Sequence, residues 1–317
     1  MKAIVIHEPG GPEQLKYEEV ATPVVKPGWS LVKVRAFGIN HSEVFTRQGL
    51  SPSVNFPRIL GIECVGEIVE STDKKLSVGQ KVVSLMGEMG RDFDGSYAEY
   101  VLLPSQQIYS INSQLSWTDL AALPETYYTA FISLKNLKID ANHQVLVRGA
   151  TSGVGVAFAN LLKSQFPDIK VSGTTRSVLK TDQLLAAGFD HVVIDDQNHL
   201  QTTRSFDRVL ELIGPLTTKD TFQHVYEGGI VCITGLLGGQ WTLNGFDPIM
   251  DLAPNSYLTS GYSGNVSADK FNDLLAFIDQ YQVKVTPEKI FSLPEVPDAH
   301  QYLASQQSFG KVVVKVD

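Results

Sequence analysis

The chain has 317 residues, 43% of them hydrophobic and 19% charged, which is enough apolar material for the core of one large domain or two ordinary ones. With 26 Lys and Arg against 34 Asp and Glu the net charge is −8, the wrong sign for a surface that binds nucleic acid or anionic lipid. Near-average Gly and Pro exclude collagen and disordered tracts, and two cysteines, Cys64 and Cys232, exclude a disulfide framework and a four-cysteine zinc lobe.

The opening apolar run, Lys2 to Ile6, is far shorter than the core of a signal peptide, and no window reaches 18 apolar residues. A cytoplasmic protein without membrane contact is the expectation. The first 110 or so residues are punctuated by Pro and Gly and carry short β-rich runs: Lys2 to Ile6, Leu31 to Ala36, Cys64 to Glu70, Lys81 to Leu85 and Tyr97 to Leu102. This predicts a barrel-like, all-β half. From about Ser116 single apolar strands alternate with helical segments, the pattern of a parallel sheet with crossovers. The predicted strands are Gln144 to Arg148, Lys170 to Thr174, His191 to Ile194, Arg208 to Leu212 and Ile230 to Thr234. Helices are predicted over Val154 to Gln165, Lys180 to Ala187, Lys219 to Tyr226 and, amphipathically, Ala268 to Tyr281. Lys311 to Val316 reads as a strand with no later partner, so it should return to the first half. The layout is an α/β domain inserted into a β-rich one, with the cleft between them the default ligand site.

Strand Val145 to Arg148 runs into Gly149-Ala150-Thr151-Ser152-Gly153-Val154-Gly155 and then a helical segment. A turn nearly free of side chains lets a dinucleotide pyrophosphate approach the backbone, where helix N-terminal amides favour its charge. A strict G-x-G-x-x-G is absent, because its first two Gly positions are Ala150 and Ser152. Glycines also serve tight turns and close packing, so the turn alone does not decide. At the end of the next strand an NAD site usually carries an acid for the ribose 2′-hydroxyl. Here Thr175 fills that place, followed by Arg176, whose guanidinium suits a 2′-phosphate, with Lys180 a further positive charge. NADP(H) is therefore expected over NAD, against the alternative that Arg176 and Lys180 are ordinary solvated residues.

These features, with Met1-Lys2-Ala3-Ile4, Gly38 to Gly49 (GINHSEVFTRQG), Leu60 to Gly66 (LGIECVG), Asp94 to Tyr100 (DGSYAEY) and Gly310-Lys311-Val312-Val313, run in an order that resembles the medium-chain dehydrogenase/reductase superfamily. Within it they resemble the zinc-free quinone oxidoreductase (zeta-crystallin-like) branch, over essentially the whole chain. The resemblance implies an α/β protein: a GroES-like β-rich catalytic domain over 1–118 and 263–317, and a Rossmann domain with a doubly wound parallel sheet over 119–262. Zinc-dependent members place Cys, His and Cys where this chain has Asn40, Ile62 and Glu125, so no metal is expected.

Without a metal, hydrogen-bond donors must stabilise the negative charge that develops as hydride arrives. By resemblance Asn40, Arg47 and Tyr128 are candidate catalytic residues. Asn40 is a donor to substrate or an orienter of the nicotinamide ribose, with helix capping as the plain alternative. Arg47 contacts substrate or makes a surface or bridging ion pair, and Tyr128 presents a phenol unless it only packs. Relatives often carry tyrosines where this chain has Phe45 and Ser51, which marks a different acceptor pocket. The implied cofactor set is Thr129, beside the nicotinamide, the turn Ala150 to Val154, Thr175, Arg176, Lys180, and Gly235 and Leu236 past the fifth strand.

The expected activity is NADPH-dependent hydride transfer to a small quinone or conjugated enone. An enoyl-thioester reductase and a non-catalytic NADPH-binding protein are the alternatives. A homodimer is expected through an edge strand near Tyr257 to Ser260.

Overall fold

The computed structural model describes residues 1–305 and 307–317. They form two compact units, one of Met1–Tyr128, Ser263–Ala276 and Val285–Asp317, the other of Thr129–Tyr262 and Phe277–Lys284. Residues 119–128 thus group with the β-rich unit and 277–284 with the α/β unit.

The β-rich unit is built on an antiparallel framework. Its long strand Trp29–Ile39 is buried at every position but Trp29, Lys33 and Arg35, which are half-buried, and pairs with Glu63–Ser71, Tyr100–Pro104 and the C-terminal strand Val312–Lys315. The last pairing is the return anticipated from the sequence, with Val313 opposite Gly38. Lys289–Ser292 and Lys81–Leu85 extend this sheet on its two sides, while Lys2–Ile6 centres a second, three-stranded sheet with Leu15–Glu19 and Arg58–Ile59. Ile4, Ile6, Val34, Phe37, Val65, Tyr97 and Val314, all at 0% exposure, fill the interior. A short helix, His41–Arg47, follows the long strand directly, and a π-helical turn covers Leu123–Tyr127.

The α/β unit carries a seven-stranded sheet. In space its strands run His199–Leu200, His191–Asp196, Lys170–Thr175, Gln144–Arg148, Phe206–Glu211, Val225–Ile233 and Tyr257–Ser260. All neighbours are parallel except the short first pair, and apart from that extra strand the order is the 3-2-1-4-5-6 of a doubly wound dinucleotide fold. Central strands are buried on both faces, so they read as continuous apolar runs such as Val145-Leu146-Val147.

The expected helix Lys219 to Tyr226 is corrected to Thr218–Phe222. Val225 already belongs to the next strand, where it pairs with Phe206 across a register shift. The strand near residue 100 likewise spans Tyr100–Pro104 rather than Tyr97 to Leu102. Tyr257–Ser260 does lie at the sheet edge. Among the described residues no helix is long and apolar enough to cross a membrane.

Candidate functional site

In the α/β unit the parallel strands bring their carboxyl ends together around the glycine turn. Gly149 takes φ +89°, a left-handed conformation that a side chain would strain, and its amide donates to Thr174 Oγ1 at 2.9 Å, tying the first strand to the second. Ser152 caps the helix Gly153–Gln165: its Oγ accepts from the Gly155 amide at 3.2 Å and donates to the Gly149 carbonyl at 2.8 Å. A Cβ on Gly155 would stand 2.8 Å from Ala150 Cα and from the Gly149 carbonyl, so only glycine allows the helix to pack this closely on the strand. Ala150 is fully buried behind the turn, while Thr151, Ser152, Gly153 and Val154 are half-buried along it. The first-turn amides of Gly153 and Val154 have no intrahelical acceptor, which makes this end of the helix receptive to an anion. These features fit a dinucleotide.

Past the second strand, Thr175 is buried and closes a local turn, donating to the Ser177 carbonyl and accepting from the Ser177 amide, both at 3.1 Å. Arg176 follows with its side chain exposed, and Lys180 is half-buried ahead of the helix Thr181–Ala186. Gly235 and Leu236 lie in the loop after Val225–Ile233, where a Cβ on Gly235 would press into the Leu212 backbone at 2.8 Å. Thr129 is buried at the start of this unit. Of the residues foreseen for a cofactor, Ala150 to Val154, Thr175, Arg176, Gly235 and Leu236 fall on the turn and past the second and fifth strands of one sheet, whereas Thr129 sits in the first turn of the helix Tyr128–Leu137 and Lys180 just ahead of the helix Thr181–Ala186.

The catalytic candidates of the β-rich unit are placed differently from one another. Arg47 is only 2% exposed, and its Nη1 donates to the Gly10 carbonyl at 2.6 Å, so it sits inside the unit rather than on its surface. Tyr128 is fully buried, stacks on Phe271 and donates its phenol proton to the Asn265 carbonyl at 3.0 Å; burial pushes that phenol up to about 12. Asn40 precedes the helix His41–Arg47 in extended conformation but makes no side-chain cap. Its amide is engaged elsewhere: Nδ2 donates to Glu63 Oε1 at 2.8 Å and, at 3.4 Å, to Glu43 Oε1, while Oδ1 accepts from Lys311 Nζ at 2.7 Å.

Around Asn40 lies a charged cluster that the sequence reading did not single out. Lys311 Nζ is 2.6 Å from Glu63 Oε1, with the two side chains 5% and 0% exposed. The other Glu63 oxygen accepts from the Glu125 amide at 2.7 Å. Glu43, 1% exposed, is pushed up to about 7 by burial first and by the neighbouring Glu63 charge second. Tyr97 and His300 are joined by a 3.0 Å hydrogen bond, and burial, then Arg47 and His41, holds the imidazole down at about 3. The available signal was an ionisable residue set against apolar strand sequence, as in Glu63-Cys64-Val65 and Lys311-Val312-Val313.

Two family profiles match the chain: "alcohol dehydrogenase GroES-like domain" over residues 26–113 and "zinc-binding dehydrogenase" over residues 187–314. A zinc-type alcohol dehydrogenase-like protein of Schizosaccharomyces pombe is 25% identical, covering 100% of this chain and 99% of its own length. The quinone oxidoreductase of Sus scrofa is 28% identical over 83% of this chain and 78% of its own. Among solved structures, the quinone oxidoreductase from Coxiella burnetii superposes with a TM-score of 0.85 at 24% identity, covering 100% of this chain and 99% of its own.

The second profile's name implies zinc, and the residues at the positions expected for its ligands do not fit it. Ile62 has no donor atom, the Asn40 oxygen already accepts from an ammonium, and that ammonium brings positive charge to the place a cation would take. Among the described residues no three His, Cys, Asp or Glu side chains are grouped to hold a metal. Through the two profiles the chain belongs to the medium-chain dehydrogenase/reductase superfamily, and its quinone oxidoreductase relatives support the quinone oxidoreductase-like branch.

Proposed function

We propose that the protein is an NADPH-dependent, zinc-independent oxidoreductase that reduces a quinone or a carbon-carbon double bond conjugated to a carbonyl. Oxidoreductase activity is the coarse reading carried by the family and its quinone oxidoreductase relatives. The observation that carries the finer reading is the pairing of the Gly149–Gly155 turn with an exposed Arg176 at the end of the adjacent parallel strand, where no acid stands. A bound nicotinamide dinucleotide would supply the hydride. The turn's backbone and the Gly153 and Val154 amides bind its pyrophosphate, and the Arg176 guanidinium, with Lys180 nearby, grips the 2′-phosphate bidentately. Gly235 and Leu236 line the nicotinamide end, with Thr129 beside it. Quinones and enones are already electrophilic, so fixed hydrogen bonds suffice as polarising groups where a simple ketone demands more. The edge strand Tyr257–Ser260, paired on one side with Val225–Ile233, is the surface through which we expect a homodimer to form.

The cofactor assignment is tested by measuring NADPH and NADH affinities for wild type and Arg176→Ala. The expected result is a preference for NADPH that falls by about 10-fold or more in the variant, the scale of one charge-assisted bidentate pair at about 1.5–3 kcal/mol. Equal affinities in wild type refute it. A panel of quinones and enones with NADPH tests the chemistry; cofactor binding without turnover on any acceptor assigns the chain to non-catalytic NADPH binding instead. Stoichiometric zinc after purification without chelator refutes the zinc-independent reading.

A further inference from the structure

Ionised groups are rarely taken out of water, because each costs several kcal/mol of solvation unless a partner sits in good geometry. The Lys311–Glu63 pair is such a case, and it stands at a crossing of four chain segments. Glu63 opens its own strand, and its Oε1 accepts from Lys311 Nζ, which lies just ahead of the C-terminal strand, and from Asn40 Nδ2 at the end of the long strand. Its Oε2 accepts from the Glu125 amide in the π-helical turn. One ammonium and one carboxylate thus hold side chain 40 and backbone 125, two of the three positions expected for a metal. The neighbour of the third, Ile62, is Glu63 itself.

Two further facts say that the ammonium is specifically accommodated. A Cβ on Gly38 would overlap Lys311 Cε, Lys311 Nζ and Glu63 Oε1, so glycine in the middle of this sheet pairing makes room for the pair. The Asn40 amide is held in one of its two flip states, with oxygen toward Lys311 and nitrogen toward the carboxylates. A buried ion pair is weak evidence for stability, since well-packed apolar residues often do as well. Fixing the direction of an amide is something apolar residues cannot do.

We propose that Lys311 is a positioning residue that orients the Asn40 amide directly and the Glu125 backbone through Glu63, at two of the positions where the resemblance to zinc-dependent relatives would place metal ligands. Its kinetic consequence rests on the reductase reading; its geometric consequence does not. Four variants separate the two: Lys311→Met, Lys311→Arg, Gly38→Ala and the double Glu63→Gln/Lys311→Met, which removes both charges and leaves a polar residue at 63 to meet the Glu125 amide.

The first readout is the Asn40 side-chain NH2 pair in a ¹⁵N spectrum, assigned by its loss in Asn40→Asp, with its solvent exchange. The others are melting temperature, NADPH affinity, and kcat and KM on the acceptor that wild type turns over. In wild type the amide should be protected. In Lys311→Met and Gly38→Ala the protection should be lost and kcat should fall about 10- to 100-fold, the scale of a misplaced polar group, with NADPH affinity unchanged. Lys311→Arg should recover part of both. The double variant should regain melting temperature while amide protection and kcat stay low. If all three return together the pair is only structural, and the proposal is overturned. Should Lys311→Met fail to fold, Gly38→Ala and the double variant decide by the same criteria. A wild type that shows amide protection lost in these variants, but reduces no acceptor, sinks the reductase reading and leaves the positioning role standing.

Discussion

Each unit buries one cluster of charge, and the two clusters are satisfied to different degrees. In the α/β unit the fully buried Arg148 is saturated. Nε and Nη2 pair with Asp195 at 2.7 and 2.9 Å, Nη2 also reaches the Asn198 carbonyl, and Nη1 reaches Thr221 Oγ1, the Thr217 carbonyl and Asp220. Glu211 beside it takes the Ile213 and Gly214 amides and the Thr221 hydroxyl. In the β-rich unit Lys311 pairs with Glu63, and only its charge acts on the neighbouring Glu43. Glu43 accepts from Ser42 Oγ at 2.9 Å and, at 3.4 Å, from Asn40 Nδ2 and the Ile62 amide, with the Tyr97 phenol also bonded to it. Nearby, Arg47 Nε and His300 Nδ1 are buried with no hydrogen-bond partner among the described residues. A saturated network fixes a structure, whereas an undersupplied one leaves groups whose protonation responds to surroundings. The first cluster belongs to the frame around the cofactor turn. The second surrounds Asn40 and engages its amide.

The largest expected effect tests the frame. Arg148→Met leaves Asp195 and Asp220 buried without their guanidinium, and urea unfolding should show the α/β unit destabilised by about 3–5 kcal/mol. A loss below about 1 kcal/mol would mean that the network is not what holds these strand ends, and the contrast would collapse.

Next is the pH dependence of the undersupplied cluster. The groups facing Glu43 are Glu63, Lys311, Ser42 and Tyr97. Glu43 keeps its proton in the folded state up to about 7, against an ordinary 4.5, so its contribution to stability is full below 4.5 and is lost as pH rises through 7. His300 has the opposite sign: neutral in the fold down to about 3, against 6.5 when unfolded, it contributes fully above 6.5 and loses that contribution as pH falls toward 3. Between 4.5 and 6.5 the two slopes oppose each other. Glu43→Gln removes one of them, so the variant's stability should rise steadily with pH across that window. Relative to wild type it should gain about 3 kcal/mol between pH 4 and pH 8, at about 1.4 kcal/mol per pH unit. Parallel wild-type and variant curves would show that Glu43 titrates normally.

How much of this was legible in the sequence depended on how local the signal is. Gln144–Arg148 and Ala268–Tyr281 were read with their observed boundaries, because a doubly buried strand and an amphipathic helix write themselves into consecutive residues. The sequence predicts one helix over Lys219 to Tyr226 because nothing local distinguishes its end from a strand start; the break is imposed by pairing of Val225 with Phe206. The glycine turn and Arg176 were legible for the same reason as the strand before them. Lys311 and Glu63 are 248 positions apart, and their pairing is set by the C-terminal strand crossing back to Trp29–Ile39, which no spacing rule records. The sequence did anticipate that return but not what the residue ahead of the strand would meet. Asn40 was found by its family position, but its amide faces Glu63 and Lys311, so its role passes through partners invisible in one dimension.

The smallest effects sharpen the contrast most, since each removes one hydroxyl of matched kind. Thr221→Val takes from the saturated cluster both an acceptor of Arg148 and a donor to Glu211, and should cost about 1–3 kcal/mol, the penalty for leaving buried polar groups unmet. Ser42→Ala takes from the other cluster a donor 2.9 Å from Glu43. Below pH 7 that acceptor is a neutral acid, so the loss should be about 0.5–1.5 kcal/mol. Above it the acceptor is a carboxylate, and the same substitution should cost about 1.5–3 kcal/mol, because a hydrogen bond to a charged group is the stronger one. Unfolding curves at pH 6 and pH 8 therefore carry the decision in the difference between them. An equal cost at both would mean that Glu43 does not change charge in that interval, and that the two clusters differ in composition but not in behaviour.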